Sequence, residues 1–151
     1  MKVNMPWSIR QAKPEDAVGL QRCMESAYSV YDERMGGILL PPVSIDYDKE
    51  IREFPTWVAT SGEDIVGGIT MVFDSDHASI ANVAVHPEHQ GQGLGKGLMQ
   101  HAEEEARQLG YKELRLATHV ALEENIVLYQ YLGWAESGRD QTRVYMTKGI
   151  D

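Results

Sequence analysis

Val83-Ala84-Val85-His86-Pro87-Glu88-His89-Gln90-Gly91-Gln92-Gly93-Leu94-Gly95-Lys96-Gly97 decides how this chain is read. An apolar run ends at Val85, Pro87 breaks it, and alternating glycines then open a long amphipathic segment. Strand, bare turn and helix start, in that order, make a site for an anion. Glycine lets the backbone approach a ligand because no Cβ intervenes. The first amides of a helix lack an intrahelical acceptor, and they and the helix dipole attract phosphate.

Two familiar phosphate loops do not fit. A P-loop reads Gly-x-x-x-x-Gly-Lys-Ser/Thr. Gly95-Lys96 is in place, but Gln90 stands at the first glycine and Gly97 at the hydroxyl position. Without that hydroxyl a Mg²⁺ ligand is missing, which excludes a nucleoside triphosphatase of this type. A dinucleotide loop reads Gly-x-Gly-x-x-Gly. Counted from Gly91 the third glycine falls on Lys96, and counted from Gly93 it falls on Leu98.

The pattern that fits is Gln/Arg-x-x-Gly-x-Gly/Ala, at Gln90, Gly93 and Gly95, behind the lead-in Val83-Ala84-Val85-His86-Pro87. With it the chain resembles the GNAT superfamily of acyl-CoA-dependent N-acetyltransferases. The resemblance implies that the amides of Gln90, Gly91, Gln92, Gly93, Leu94, Gly95 and Lys96 hold the pyrophosphate of coenzyme A. It also implies that Val83, Ala84 and Val85 form a strand splayed from its neighbour, whose free backbone groups pair with pantetheine. A backbone amide of that strand would stabilise the oxyanion. The alternative is a tight turn that binds nothing.

Composition sets the limits. The 151 residues are about one domain's length, read here as a single domain over 1–151. A hydrophobic content of 42% suffices for one packed core. The sequence predicts neither a membrane span nor a secretory signal. Cys23 is the only cysteine, so an internal disulfide is excluded and the expected location is cytoplasmic. A formal charge of −9 argues against a nucleic-acid partner and suits an amine substrate. His86 and His89 lack the neighbours of a recognisable ligand set, and no metal is expected.

The periodicity predicts a strand at 7–10 and a helix opening at Pro14 with apolar Ala17, Leu20, Met24 and Ala27. A loop-rich segment follows from about Asp32 to Ile45, then a short helix over 47–54. Strands are predicted at 56–60, 65–73 and 78–85, and a helix over 93–109 with Leu94, Leu98, His101, Ala102 and Leu109 on one face. A strand at 114–118, a helix at 123–132 and a hairpin from 134–139 and 144–148 complete the chain. This order means an α/β (α+β) sandwich. By resemblance it is GNAT-like: a mixed, mostly antiparallel sheet splayed at the cofactor site, with helices on both faces.

Leu128-Tyr129-Gln130-Tyr131-Leu132-Gly133-Trp134 is the second motif. It is similar to the family's Leu-Tyr-x-x-Leu-Gly-aromatic segment, which implies that Tyr129 protonates the departing CoA thiolate. A tyrosine keeps its proton at pH 7 and donates it as charge develops on sulfur. The competing reading is a core aromatic. Tyr131 reads as packing or as a wall of the substrate site. Asn125 either contacts pantetheine or caps the helix. Many relatives place their asparagine where Leu122 stands here.

A base must also deprotonate the incoming amine. Glu33, Asp46 and His119 are candidates, Asn82 can orient a water, and His86 is poorly placed. The segment after the first helix forms the acceptor wall in relatives. Here Tyr31 and Met35 offer apolar contact, Glu33 an ammonium site and Arg34 a carboxylate site. The leading expectation is therefore acetyl transfer from acetyl-CoA to an amine of a small molecule or peptide, with a homodimer possible. The alternatives are a non-catalytic acyl-CoA sensor, or an accessory subunit binding a partner through Pro41-Pro42.

Overall fold

The structure is a computed structural model that describes residues 6–31, 35–36 and 45–150. The chain runs β1 (Trp7–Gln11), a 3₁₀ turn (Pro14–Asp16), α1 (Ala17–Ser29), α2 (Tyr47–Glu53), β2 (Thr56–Ser61), β3 (Asp64–Phe73) and β4 (Ala78–Val85). A 3₁₀ turn (Pro87–His89), α3 (Leu94–Gln108), β5 (Glu113–His119), α4 (Glu123–Tyr131), β6 (Ala135–Arg139) and β7 (Arg143–Gly149) follow. This is the element order the periodicity predicts. The strands form a seven-stranded sheet ordered β1-β2-β3-β4-β5-β7-β6. β4 and β5 run parallel, whereas β1–β2, β2–β3, β5–β7 and β6–β7 are antiparallel. The mixed sheet is as expected. The β4–β5 register covers only Ala78–Ile80 against Leu114–Leu116, although β4 continues to Val85. That early stop is the expected splay.

Packing divides the chain into two units, Met1–Thr70 with Asn82–Met99, and Met71–Ala81 with Gln100–Asp151. In the first unit, buried Leu20, Met24 and Ala27 of α1 join Tyr47 of α2, Val58 of β2 and Ala84 of β4. Successive side chains of a strand point to opposite faces, and β3 uses two adjacent glycines accordingly. A Cβ on Gly68 would fall onto Leu20 Cδ1 of α1. A Cβ on Gly67 would lie 3.2 Å from Leu98 Cδ1 and 3.5 Å from Leu94 Cδ2, both in α3. Helices thus press on both faces, as expected. Leu20 is fully buried, and its truncation to alanine would cost roughly 2–5 kcal/mol.

In the second unit β5 pairs along its whole length with β7, and β7 with β6. Lys148 of β7 donates from Nζ to the Leu132 carbonyl at 2.8 Å and pairs with Glu103 of α3. Arg107 Nε donates to the Ile150 carbonyl at 2.7 Å. Phe73 and Tyr111 stack with ring centroids 5.5 Å apart.

The predicted face of α3 needs one correction. Leu94, Leu98, Met99, Ala102 and Ala106 are buried, and Leu109 is 61% exposed. The helix ends at Gln108, and Gly110 at φ +89° turns the chain away, with the Tyr111 amide bonding back to the Ala106 carbonyl. Leu109, whose amide still bonds back to Glu105 and Ala106, is thus the residue at which the chain reverses, and it is left exposed. Most of the predicted loop, residues 32–34 and 37–44, lies outside the described residues. Among the described residues no helix is long and apolar enough to cross a membrane.

Candidate active site

The first unit carries the glycine loop. Where β4 ends, the His86 amide donates to the Val66 carbonyl at 2.8 Å. His86 Nδ1 accepts the Glu88 amide at 3.1 Å and so caps the 3₁₀ turn. Gly91 and Gly93 follow with φ of +83° and +77°. A Cβ at either position would meet nothing within 4 Å. The backbone conformation requires glycine there, and the space beside each is open to an approaching group. The Gly97 amide bonds to the Gly93 carbonyl at 2.9 Å. The amides of Leu94, Gly95 and Lys96 are therefore the first-turn donors of α3, which have no acceptor within the helix. These features suit a pyrophosphate.

Trp7 of β1 holds this loop from below, a role no local sequence signal announces. Its Nε1 donates to the Gln92 carbonyl at 3.2 Å. Its six-membered ring lies against Gly97, where a Cβ would come within 2.5 Å of Cη2. The glycine that breaks the P-loop pattern is thus a packing requirement of the indole.

The end of β4 is framed by α1 and α2. Tyr28 Oη donates to the Val83 carbonyl at 3.3 Å. Burial, with Tyr31 nearby, pushes the Tyr28 hydroxyl up to about 12, so it remains a donor at neutral pH. Since His86 bonds towards β3 and backbone groups alternate along a strand, Val83 and Val85 direct theirs to the opposite edge. Asn82 is 5% exposed, and its Nδ2 donates to Glu50 Oε1 at 3.0 Å. Burial and, second, the charge of Glu53 raise the Glu50 carboxyl above its ordinary value. Burial likewise drives the Cys23 thiol up to about 11, which leaves it an unreactive core group.

Other predicted residues of this unit take structural places. Asp46 caps α2 by accepting the Lys49 amide at 3.3 Å. Tyr31 is half-buried, its ring centroid 6.1 Å from that of Tyr28. Glu33 and Arg34 lie outside the described residues, as does the Pro41-Pro42 segment.

The second unit carries the tyrosine motif. Tyr129 is 8% exposed, tilted 55° to the Trp134 ring at a centroid distance of 6.3 Å. Its carbonyl accepts the Trp134 amide at 2.9 Å, and Gly133 at φ +98° allows that turn. Tyr131 is 84% exposed, which corrects the packing reading: two residues along a helix face different ways. The capping role for Asn125 is also corrected. Leu122 is the N-cap and Asn125 the third helical residue, because the helix starts at Glu123. His119 is the last residue of β5 rather than beyond it, and its Nδ1 accepts the Ala121 amide at 3.0 Å.

Residues 22–134 match the model of the Acetyltransferase (GNAT) family, and the chain belongs to that family. It is 31% identical over 107 residues to the uncharacterized N-acetyltransferase YsnE of Bacillus subtilis, a match covering 65% of this chain and 71% of that protein. It is 37% identical over 62 residues to the [ribosomal protein bS18]-alanine N-acetyltransferase of Escherichia coli, covering 41% of this chain and 42% of that enzyme. Among solved structures, the PaiA N-acetyltransferase of Thermoplasma acidophilum in complex with coenzyme A superposes with a TM-score of 0.85. Its sequence identity is 20%, and the match covers 96% of this chain and 99% of that one. At that identity the likeness concerns the fold.

Proposed function

We propose that this chain transfers the acetyl group of acetyl-CoA to a primary amine of a small molecule or peptide, by direct attack in a ternary complex. The reading takes residues 1–151 as one acetyltransferase domain. The observation that carries it is the loop itself: two glycines at positive φ ahead of three unpaired first-turn amides. Bound there, acetyl-CoA supplies an activated acyl group as a thioester.

The chain's residues do the rest. Gln90, Gly91, Gln92, Gly93, Leu94, Gly95 and Lys96 receive the diphosphate through backbone N–H groups. Along Val83–Val85 the carbonyl of Val83 is already taken by Tyr28. The Val83 amide and the Val85 groups are left to pair with pantetheine and to polarise the acyl carbonyl. Asn125 meets a pantetheine amide. Tyr129 gives its proton to the leaving sulfur. Tyr31, Asn82 and His119, with Glu33 and Arg34 outside the described residues, are the proposed acceptor contacts. The relative named as an alanine N-acetyltransferase of ribosomal protein bS18 supports a protein amine as one acceptor class. We take the enzyme to be cytoplasmic, a reading supported by the lone buried cysteine, and keep a homodimer as the assembly to be tested.

Thermal-shift titration with acetyl-CoA, followed by a thiol-release screen over N-terminal peptides, polyamines and amino sugars, tests the proposal. A rise in melting temperature plus amine-dependent thiol release is expected, because a ligand specific to the native state stabilises it. Binding without release from any amine would leave a sensor, and absence of binding would end the reading.

A further inference from the structure

β4 and α2 place one carboxylate beside the strand expected to hold the acyl group. Glu50 lies in the middle of α2, on a turn that also carries fully buried Tyr47. Its Oε1 accepts Asn82 Nδ2 at 3.0 Å. Asn82 is 5% exposed, so its amide is almost wholly withdrawn from water and commits a donor to this carboxylate. A buried amide is retained in a core only where its hydrogen bonds are satisfied. Asn82 directly precedes Val83, whose amide is directed to the edge of β4 away from β3. The half-buried carboxylate is therefore anchored at the start of the backbone stretch that would polarise the acyl carbonyl.

The charge around Glu50 is unbalanced. Among the described residues no lysine or arginine pairs with it, and Glu53 on the same helix adds a second negative charge. A partly desolvated carboxylate with a neutral amide on one oxygen keeps its other oxygen available for a cation. Compare Asp16, whose two oxygens are both taken by Arg10. That carboxylate already has its cation within the chain.

We propose that Glu50 binds the ammonium of the acceptor and takes the proton that frees its nitrogen for attack, with Asn82 as the positioning residue that holds it. This rests on the acetyl-transfer reading above. The proton balance closes. Glu50 takes one proton from R–NH₃⁺ and passes it to water. The neutral nitrogen forms the C–N bond as the C–S bond breaks. The second nitrogen proton replaces the one Tyr129 delivers to sulfur. The first role explains the pairing with Asn82, and the second the raised affinity of the carboxyl for a proton, which moves a carboxylate towards a useful base.

The test compares wild type, Glu50→Gln, Glu50→Asp, Asn82→Ala and the Glu50→Gln/Asn82→Ala double variant at pH 7. Acetyl-CoA affinity is read by calorimetry and steady-state kinetics with the best acceptor of the amine screen. The amine's own stabilisation of the protein is read by thermal shift. Glu50→Gln keeps the side chain's shape, and Asn82 can turn its amide to bond it. It should hold acetyl-CoA within about twofold, lose the amine's thermal shift, and lose roughly 100-fold or more in kcat/KM for the amine. Glu50→Asp should recover part of the rate. Asn82→Ala should raise the amine KM and leave the acetyl-CoA KM alone, with no further loss in the double variant, since the two act as one unit.

A Glu50→Gln enzyme within about threefold of wild type, or one that loses acetyl-CoA as well, overturns the assignment. A wild type that neither binds acetyl-CoA nor acetylates any amine of the screen overturns the transferase reading instead.

Discussion

The indole of Trp7 occupies the place a side chain at residue 97 would need, while its Nε1 donates to the Gln92 carbonyl at 3.2 Å. One residue of β1 therefore supports both sides of the glycine loop, from 85 to 90 positions away in sequence. Gly97→Ala should destabilise the protein by about 1–3 kcal/mol, since the ring cannot retreat without losing Gln92. Trp7→Phe keeps much of the packing and removes the donor. Its expected cost is about 1 kcal/mol of stability and a several-fold weaker affinity for acetyl-CoA. Chemical denaturation and calorimetric titration check both.

Gly93 and Gly95 separate backbone strain from ligand access. Gly93→Ala forces a side chain to φ +77°, at a cost of about 1–2 kcal/mol, and weakens cofactor affinity with it. Gly95 lies in helical conformation, and an added Cβ meets only Val85 Cγ2 at 3.7 Å. Gly95→Val should leave the melting temperature nearly unchanged and still lower acetyl-CoA affinity, because the branched side chain stands where phosphate approaches. Unchanged affinity in both variants would remove the loop from the binding site.

Tyr129→Phe removes one oxygen from a side chain already packed against Trp134. Stability and the KM for acetyl-CoA should hold within about twofold, while kcat falls roughly 100-fold as the proton donor is lost. Turnover equal to wild type across the pH range would assign the ring to packing alone.

Asp16 supplies a pH-dependent element of stability. Its carboxylate accepts Arg10 Nη1 at 2.7 Å and Nη2 at 2.9 Å, and the Lys13 amide at 2.8 Å. The hydrogen bond from Arg10, foremost, holds its carboxyl below the usual range. A depressed folded value means the stabilisation is complete above the unfolded pKa of about 3.9 and is lost as pH falls through the folded one. Asp16→Asn should cost about 1–2 kcal/mol at pH 7, a figure moderated by the exposure of Arg10. The gap from wild type should be smaller at about pH 3 than at pH 7, because protonation of the carboxyl removes it. Urea titrations at both pH values measure it.

Features decided by neighbouring residues were legible. The glycine loop, the helical start near Pro14, the short helix at Tyr47 and the closing hairpin all follow from local turn chemistry and apolar period. Leu109 misled because the chain reverses at Gly110 directly after it, which leaves the last side chain of the predicted face exposed. Asn125 misled because a helix may begin without a polar cap, here at Leu122. Among the base candidates, Asp46 spends its side chain on a helix cap. Glu50, which no motif distinguishes, is the carboxylate that meets Asn82.

By itself the sequence determined that a bare glycine turn joins β4 to a helix, and the order in which strands and helices succeed one another. Both depend on interactions within a few residues. Only the tertiary structure decided that Trp7 supports the loop, that Tyr28 takes the Val83 carbonyl and that Asn82 holds Glu50. Those partners are separated by 85, 55 and 32 positions. Helices packed across the sheet bring them together, and side chains that meet in this way leave no periodic trace along the chain.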